Sequence, residues 1–412
     1  MRIAIFIIVL LFPIMIFAQD YLFAPAVNDA RARGMGRTEI LNTSGGNGIF
    51  VNPANPGFID SPKVQAGGRL FFGIIDDEPL NEIGAPYQYW EAKYTIHLKL
   101  THISFAMPVK TFDSGIELVF GIGYNSYFDN GRNYRREYRN TYDGFSYDVK
   151  VTGEEYGGLN TISPALAVKV NDWMSFGLAF NKSVFGKMGN KYTYDYESPP
   201  QYSYVLEKSE QENTGSAYYF TLGQVMKITR KLTIGFMWRS DFKFKLRDGE
   251  HYYKYLDGDE SEYELSDVDW NIPAVAGIGV NYQITPTILL AGEYQTRPFA
   301  GMQLYYPEGG ESPPPSFFYV ENGACYRLGG EFLAPVPFRV GIFHDAVKWR
   351  DDWDDENPSY KTGVTTGAGF EMYGLHFDLF GEAAFWGYDW GLEYNETQFT
   401  FGMTAGYSFK QW

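Results

Sequence analysis

Few side chains of this sequence have the type and spacing that catalysis or metal binding requires. The five histidines include no pair with the spacing of a helical zinc site. His102 lies near Ser104 and His344 precedes Asp345, as in parts of a hydrolase site, but no nucleophile motif of the G-x-S-x-G kind accompanies them. We therefore expect no catalytic residue, no metal ion and no cofactor, and we predict that the protein is not an enzyme.

Glycine pairs and acidic runs suggest two further chemistries, and each has a simpler explanation. Gly277-Ile-Gly279 and Gly367-Ala-Gly369 lack the third glycine and the helix of a nucleotide-binding motif. The runs Asp257–Glu260 and Asp351–Glu356 carry carboxylates of the kind that hold Ca²⁺, but a solvated, like-charged loop is the favoured explanation. The single cysteine, Cys325, excludes a disulfide framework and a Cys-rich zinc site.

Composition limits both the fold class and the partners. Aromatic residues make up 18% of the 412 residues and there are 45 glycines, which is the composition of neither a helical bundle nor a disordered chain. The formal net charge is −16. A nucleic-acid partner is not expected, because phosphate binding requires a basic surface.

The first 18 residues have the pattern of a signal peptide. Arg2 is followed by an apolar stretch over 3–17 and then by Ala18, after which we expect cleavage. The stretch is shorter than the roughly 20 residues of a membrane-spanning helix, although a retained anchor helix is the alternative. No later apolar run is long enough for such a helix, so a protein that stays in a membrane must cross it as a closed barrel.

Apolar and polar residues alternate with a period of two along the rest of the chain, which is typical of β-strands. In 231–243, for example, Leu232, Ile234 and Phe236 alternate with glycine and polar residues. The segments are long, and their connections alternate between short and long, which favours a transmembrane antiparallel β-barrel over a soluble sandwich. The pattern predicts an all-β fold with about fourteen strands within 63–412. They are expected at 63–75, 92–109, 114–128, 158–171, 173–184, 216–229, 231–244, 268–284, 286–297, 322–333, 336–346, 362–372, 374–386 and 396–410.

Long loops and two irregular strands complete this prediction. The loops hold most of the polar and low-complexity sequence and span 76–91, 129–157, 185–215, 245–267, 298–321, 347–361 and 387–395. A one-residue slip in the alternation near His102 predicts a β-bulge, and Pro164 predicts either a strand start or a local gap in the hydrogen-bond ladder. Features of this kind usually have only a structural role. The alternative is a functional role in a barrel that releases its ligand sideways.

Residues 21–62 do not alternate, and they contain two short motifs. Ala30-Arg-Ala-Arg-Gly-Met-Gly36 is followed by Ile49-Phe-Val-Asn-Pro-Ala-Asn-Pro-Gly-Phe58. Together the motifs resemble the mature N-terminus of the FadL/TodX family of outer-membrane transport proteins, which includes PorV-like relatives. The residues that carry the resemblance are Ala30, Arg31, Ala32, Gly34, Met35, Gly36, Asn52, Pro53 and Ala54.

The resemblance implies that residues 19–62 fold inside the barrel lumen as a hatch. A lumen enclosed by fourteen strands needs such filling if the membrane is not to leak, because only barrels of about eight strands are filled by their own side chains. The hatch motif would comprise Gly34, Met35, Gly36, Asn52, Pro53 and Ala54, with Ile49, Phe50 and Val51 facing the ligand. A simple periplasmic loop is the alternative for this segment.

The resemblance also implies a function, namely passive uptake of hydrophobic compounds such as long-chain fatty acids, gated by the hatch. The location would be the outer membrane of a Gram-negative bacterium. The expected partners are a hydrophobic small molecule or lipid, outer-membrane lipid and the barrel assembly machinery, for which Phe409 or Trp412 would be the C-terminal signal. Two alternatives are a PorV-like subunit of a type IX-like protein secretion or surface-attachment machine, and a structural barrel without transport.

Overall fold

The computed structural model describes most of the chain after the expected signal peptide. The described residues are 28–43, 45–77, 87–129, 131–142, 145–197, 206–307, 310–311, 321–333, 336–350, 358–389 and 393–409. The expected signal peptide (1–18), the acidic run Asp351–Glu356 and Trp412 lie outside them. All structural statements below refer to the described residues.

Twenty-four strands occur in the described chain. The first twelve are β1 (Lys63–Asp77), β2 (Tyr87–Thr111), β3 (Glu117–Asp129), β4 (Arg132–Tyr142), β5 (Phe145–Tyr156), β6 (Gly158–Ile162), β7 (Ala165–Asn171), β8 (Met174–Val184), β9 (Lys187–Glu197), β10 (Leu206–Ser216), β11 (Tyr218–Lys227) and β12 (Leu232–Arg239). The others are β13 (Phe242–Tyr255), β14 (Glu260–Leu265), β15 (Val268–Ile272), β16 (Val275–Thr285), β17 (Ile288–Arg297), β18 (Gln303–Tyr306), β19 (Gly310–Glu311), β20 (Gly323–Phe332), β21 (Phe338–Arg350), β22 (Pro358–Met372), β23 (Leu375–Asp389) and β24 (Glu393–Ser408).

Helical structure is short in the described chain. It consists of one α-helix, α1 (Ala30–Gly34), and 3₁₀ turns at Gly45–Phe50, Asn55–Phe58 and Phe299–Gly301. None of these described helices has the length and apolar character needed to cross a membrane.

Fourteen of the strands form a closed antiparallel ring. The order is β1–β2–β3–β7–β8–β11–β12–β16–β17–β20–β21–β22–β23–β24. The ring closes because β24 also pairs with β1, from Lys63 opposite Ser408 to Asp77 opposite Tyr394. The predicted all-β barrel of about fourteen antiparallel strands is confirmed.

The two faces of the ring differ in chemistry. On β20, Tyr326 and Leu328 are 53% and 58% exposed on the outer face, whereas Arg327 and Glu331 are 2% and 1% exposed on the inner face. The other ring strands repeat this alternation, so large apolar side chains cover the outside, and glycine and polar side chains cover the inside. A soluble barrel has the opposite arrangement, and a barrel surrounded by lipid requires this one.

The bulge expected near His102 is present. β1 pairs with β2 as Gly67 opposite His102 and then as Gly68 opposite Leu100, so Thr101 is the extra residue. A bulge of this kind strengthens the local twist and redirects the neighbouring side chains. It turns His102 into the lumen, where the side chain is buried.

The gap expected at Pro164 is also present, between β6 and β7. Backbone hydrogen bonds bridge it on both sides. The Ser163 N–H donates to the Gly123 carbonyl at 2.8 Å, and the Phe180 N–H donates to the Pro164 carbonyl at 3.0 Å. The wall is therefore continuous at this position.

The prediction of long loops at 129–157, 185–215 and 245–267 was wrong, because these ranges form strands. β4, β5, β9, β10 and β14, together with the ends of β2 and β13, form what we call the extension sheet, continuous with one end of the ring. Its outward side chains are charged or polar rather than apolar. A search for apolar alternation therefore does not detect these strands.

The apolar outer face leads to a first prediction. Leu328→Arg would place a charge on the lipid-facing side of β20 and should lower the free energy of unfolding in a bilayer by about 2–4 kcal/mol. Urea unfolding in lipid vesicles measures this. Leu256→Arg is the matched control, because Leu256 is 40% exposed but lies outside the ring, after β13. Equal effects of the two substitutions would contradict a lipid-facing ring.

Candidate functional site

The described part of the predicted hatch, residues 28–43 and 45–62, runs through the space that the ring encloses, and we call it the hatch segment. α1 packs against β22 and β23, the 3₁₀ turn Gly45–Phe50 packs against β1, β2 and β3, and the turn Asn55–Phe58 packs against β7 and β8. Asp29 caps the N-terminus of α1, because its side chain accepts a hydrogen bond from the Ala32 N–H at 3.1 Å. Because these strands lie on different sides of a closed ring, the segment crosses the lumen.

Glycine residues allow the backbone of the segment to touch the wall. A Cβ atom added at Gly341 would overlap Gly36, and one added at Gly177 would overlap the Pro53 carbonyl group. Gly36 has a φ of +66°, a conformation that favours glycine. A Cβ atom on Gly34 would lie only 3.0 Å from the backbone of β22. The predicted glycines thus occupy positions where a side chain does not fit.

The other residues of the predicted hatch motif are buried in the lumen. Met35 is fully buried and packs against β17. The Asn52 side chain donates to the Ile40 carbonyl at 3.1 Å and to the Gln224 carbonyl at 3.3 Å, and it accepts from the Ala54 N–H at 3.2 Å. The turn at Asn52-Pro53-Ala54 therefore connects two parts of the segment to the wall.

The three residues expected to face the ligand lie in two different environments. Ile49 is buried against Ala165 and Ala179 of the wall. Phe50 and Val51 line a cavity between the hatch segment and the wall.

Buried ion pairs, which the sequence analysis did not identify, also hold the segment. Three arginines and one glutamate within 28–43 pair with wall residues of opposite charge. The pairs are Arg31–Glu331 at 2.6 Å, Arg33–Glu382 at 3.4 Å, Arg37–Glu382 at 2.6 Å, Arg37–Asp345 at 3.0 Å and Glu39–Arg327 at 3.1 Å. Removing one partner of such a pair costs about 3–5 kcal/mol, because the other charge is left buried.

A signal for these pairs is present in the sequence. Arg31, Arg33 and Arg37 fall within seven consecutive residues, and Glu331 and Glu382 lie in the polar phase of alternating strands. The two partners of a pair are far apart in the chain, 300 residues for Arg31 and Glu331. Sequence alone could therefore indicate the charges but could not pair them.

The cavity is partly open, and its volume is about 20 Å³, roughly the space that one water molecule needs. Asp29, Phe50 and Val51 line it from the hatch segment, and Tyr127 and Arg239 line it from the wall. It therefore combines apolar surface with charged groups.

A cluster of buried, mostly apolar and aromatic side chains, which we call the aromatic cluster, lies where the ring meets the extension sheet. Ring centroids are 4.9 Å apart for Tyr219 and Phe242 and 5.5 Å apart for Phe128 and Phe244. Tyr127 belongs to the cluster and also lines the cavity, so the two are contiguous. The members are Tyr127, Phe128, Leu159, Met188, Ala217, Tyr219, Phe242, Phe244, Trp270, Ile272, Phe299, Met302 and Ala346.

Arg239 is the cavity residue with the clearest capacity to bind a ligand. It is 5% exposed, and its guanidinium carbon lies 4.8 Å from the ring centre of Tyr127 and 6.0 Å from that of Tyr219. Its Nε has no hydrogen-bond partner, and no described carboxylate forms an ion pair with it. A buried guanidinium in this state binds anions strongly, carboxylates above all, because its parallel N–H groups match two oxygens.

The histidines considered as hydrolase residues have other roles here. Nε2 of His102 lies 3.0 Å from Nδ2 of Asn47, and the Ser104 hydroxyl donates to Oδ1 of Asn47 at 2.6 Å. His344 pairs with the Thr362 hydroxyl at 2.7 Å. Among the described residues, no group of His, Cys, Asp and Glu has the arrangement of a metal site.

Comparison with known proteins gives matches in structure only. No protein-family model matches the chain, and no curated protein matches it in sequence. A FadL homologue of Pseudomonas aeruginosa superimposes with a TM-score of 0.62 at 14% identity, over 95% of this chain and 100% of that one.

Two solved toluene transporters match in the same way. For TodX of Pseudomonas putida the TM-score is 0.61 at 12% identity, over 95% of this chain and 100% of that one. For TbuX of Ralstonia pickettii the TM-score is 0.57 at 13% identity, over 94% and 99%. The chain has the FadL/TodX fold. The resemblance noted in its N-terminal motifs is thereby confirmed at the level of the fold.

The close approach of Pro53 to the wall leads to a second prediction. Gly177→Val would push the turn at Asn52–Ala54 away from β8, because a side chain there overlaps Pro53. The variant should conduct ions in planar bilayers, whereas the wild type should be silent. Gly292→Val is the control, because a Cβ atom there meets only Leu328 on the outer face. A folded but silent Gly177→Val barrel would argue against a sealing role of the segment.

Proposed function

We propose that the protein takes up hydrophobic compounds passively across the outer membrane of a Gram-negative bacterium. The apolar outer face of the ring and the likeness in fold to the FadL homologue, TodX and TbuX support this. The last two are described as toluene transporters. The process needs no covalent chemistry and no cofactor, and insertion would depend on the barrel assembly machinery, with Phe409 or Trp412 as its signal.

We propose further that the ligand is an amphipathic anion such as a long-chain fatty acid. The observation that carries this proposal is the buried guanidinium of Arg239 next to the aromatic cluster, whose Nε has no hydrogen-bond partner and which forms no ion pair with a described carboxylate. The carboxylate would bind Arg239, and the apolar chain would pack among Tyr127, Tyr219 and their neighbours. A neutral hydrocarbon would leave the guanidinium without a partner.

The transport route has a barrier at each end of the cavity. The aromatic cluster separates the cavity from the extension end, and the hatch segment separates it from the end of the short turns. The ligand would enter by parting apolar side chains, which costs little because its own chain replaces their contacts. It would leave when the hatch, residues 19–62, shifts away from the wall.

A third prediction tests the role of Arg239. Arg239→Met should weaken oleate binding to the purified protein by about 10- to 100-fold, because a hydrogen bond to a charged group contributes about 1.5–3 kcal/mol. Arg239→Lys should restore part of the affinity, and binding of toluene should be unchanged. Scintillation proximity with labelled ligands measures these affinities.

Arg297→Met is the control for that experiment. Arg297 is equally buried and its Nε also lacks a partner, but it does not line the cavity. Its substitution should leave oleate affinity unchanged. If Arg239→Met binds oleate as tightly as the wild type does, the assignment of the carboxylate is wrong.

The extension sheet favours a second candidate function, that of a PorV-like barrel that binds proteins of a secretion machine. Its interior is ordered by polar contacts rather than by apolar packing alone. His251 is fully buried, and its ring lies 3.1 Å from the hydroxyls of Ser209 and Tyr253 and 3.2 Å from that of Tyr263. Burial lowers the pKa of His251 to about 4, so the ring is neutral at pH 7, and one of its nitrogens accepts a hydrogen bond while the other donates one.

A fourth prediction separates the two functions. Deleting Glu260–Leu265 removes β14, which pairs only with β13 among the described strands, so the ring should still fold. If the protein is an uptake channel, oleate uptake by cells that express the variant should stay within twofold of the wild type. Loss of protein secretion or surface attachment, with no oleate uptake even by the wild type, would favour the second candidate.

A further inference from the structure

We propose that only one half of the hatch segment moves when the lumen opens. The fixed part is the charged half, residues 28–43, and the moving part is the neutral half, residues 45–58. This inference rests on the proposed uptake function and specifies its gate. It follows from how differently the two halves are attached to the wall.

The charged half is held on one side of the ring by every ion pair described between the hatch segment and the wall. Its partners lie on β20, β21 and β23, with Arg31, Arg33, Arg37 and Glu39 as the hatch residues. Backbone groups reinforce these pairs. The Gly36 N–H donates to the Thr365 hydroxyl at 2.8 Å, and that hydroxyl lies 3.0 Å from the Gly34 carbonyl.

The neutral half contains no charged residue at all. It contacts β1, β2, β3, β7 and β8 through glycines, through Ile49 and Phe50, and through neutral hydrogen bonds. At the wall, the Ser104 hydroxyl donates to Oδ1 of Asn47 at 2.6 Å, and the Gly46 N–H donates to the Gln65 side chain at 2.6 Å. The Asn52 side chain donates to the Gln224 carbonyl at 3.3 Å. Hydrogen bonds between neutral groups can be exchanged for hydrogen bonds to water, whereas separating a buried ion pair leaves two charges without partners.

The position of the cavity agrees with this division. The cavity lies between the two halves, because Asn28, Asp29, Glu39 and Thr43 of the charged half line it together with Asn47, Phe50 and Val51 of the neutral half. Displacement of the neutral half alone would therefore open it towards the other end of the lumen. The neutral half begins at Gly45, whose φ of +46° suits a hinge between the two halves. The wall that the neutral half leaves behind includes β7 and β8, next to the break at Pro164.

Two reversible cross-links test the inference. In each, two cysteines replace side chains that are hydrogen-bonded between hatch and wall, and a short bis-methanethiosulfonate joins them. Asn47→Cys with Ser104→Cys locks the neutral half. Asn42→Cys with Asn281→Cys locks the end of the charged half, where the two amides bond at 2.9 Å. Cys325 is fully buried, and each single-cysteine variant controls for side reactions.

The readout is uptake of labelled oleate by Gram-negative cells that lack their own fatty-acid transporter. Locking the neutral half should lower uptake at least tenfold, and dithiothreitol should restore it. Locking the charged half should leave uptake within twofold. The inference is overturned if the second cross-link blocks uptake as strongly as the first, or if the first leaves it unchanged.

A second measurement does not depend on transport. In detergent micelles, hydrogen exchange of amides in 46–58 should be at least tenfold faster than that in 31–42. Similar rates would overturn the inference. If the unlocked protein takes up no oleate, the proposed function fails, and the exchange rates still decide whether the two halves differ in mobility.

Discussion

A sheet that closes on itself has no free edge, but fourteen strands also enclose a space that their own side chains cannot fill. Most features of this protein follow from that constraint. Glycines on the inner face admit a second layer of backbone, as at Gly341 beneath Gly36. The N-terminal segment supplies that layer, and it is itself rich in glycine and asparagine, residues that suit close approach and turns.

The chemistry of the lumen follows from the arrangement of the two faces of the ring, which is the reverse of that in a soluble barrel. Apolar side chains point outwards, so polar side chains must be buried inside, and each buried charge needs a partner. The arginines of α1 and its C-terminal turn meet the carboxylates of the wall for this reason. Ion pairs fix the position of this part of the segment, because a displaced arginine would leave its partner buried and unpaired.

Arg239 and Arg297 both depart from this rule, and of the two only Arg239 lines the cavity. Arg239 has aromatic neighbours, and no described carboxylate forms an ion pair with it, although Asp29 and Glu39 line the same cavity. Fold similarity alone does not distinguish hydrocarbon from fatty acid as the ligand, because the structures that match include transporters of toluene. The proposal of an anionic ligand therefore rests on Arg239, whose Nε has no hydrogen-bond partner.

The sequence by itself determined the ring, because strand alternation is a local property that repeats in every ring strand and needs no knowledge of neighbours. It also located the bulge near His102 and the gap at Pro164, since each interrupts that local pattern. The extension sheet was missed because its outward side chains are charged, which removes the contrast on which the alternation depends. Only the tertiary structure decided that Arg31 pairs with Glu331 and that the Nε of Arg239 lacks a hydrogen-bond partner. Both facts depend on distances between residues that are remote in the chain.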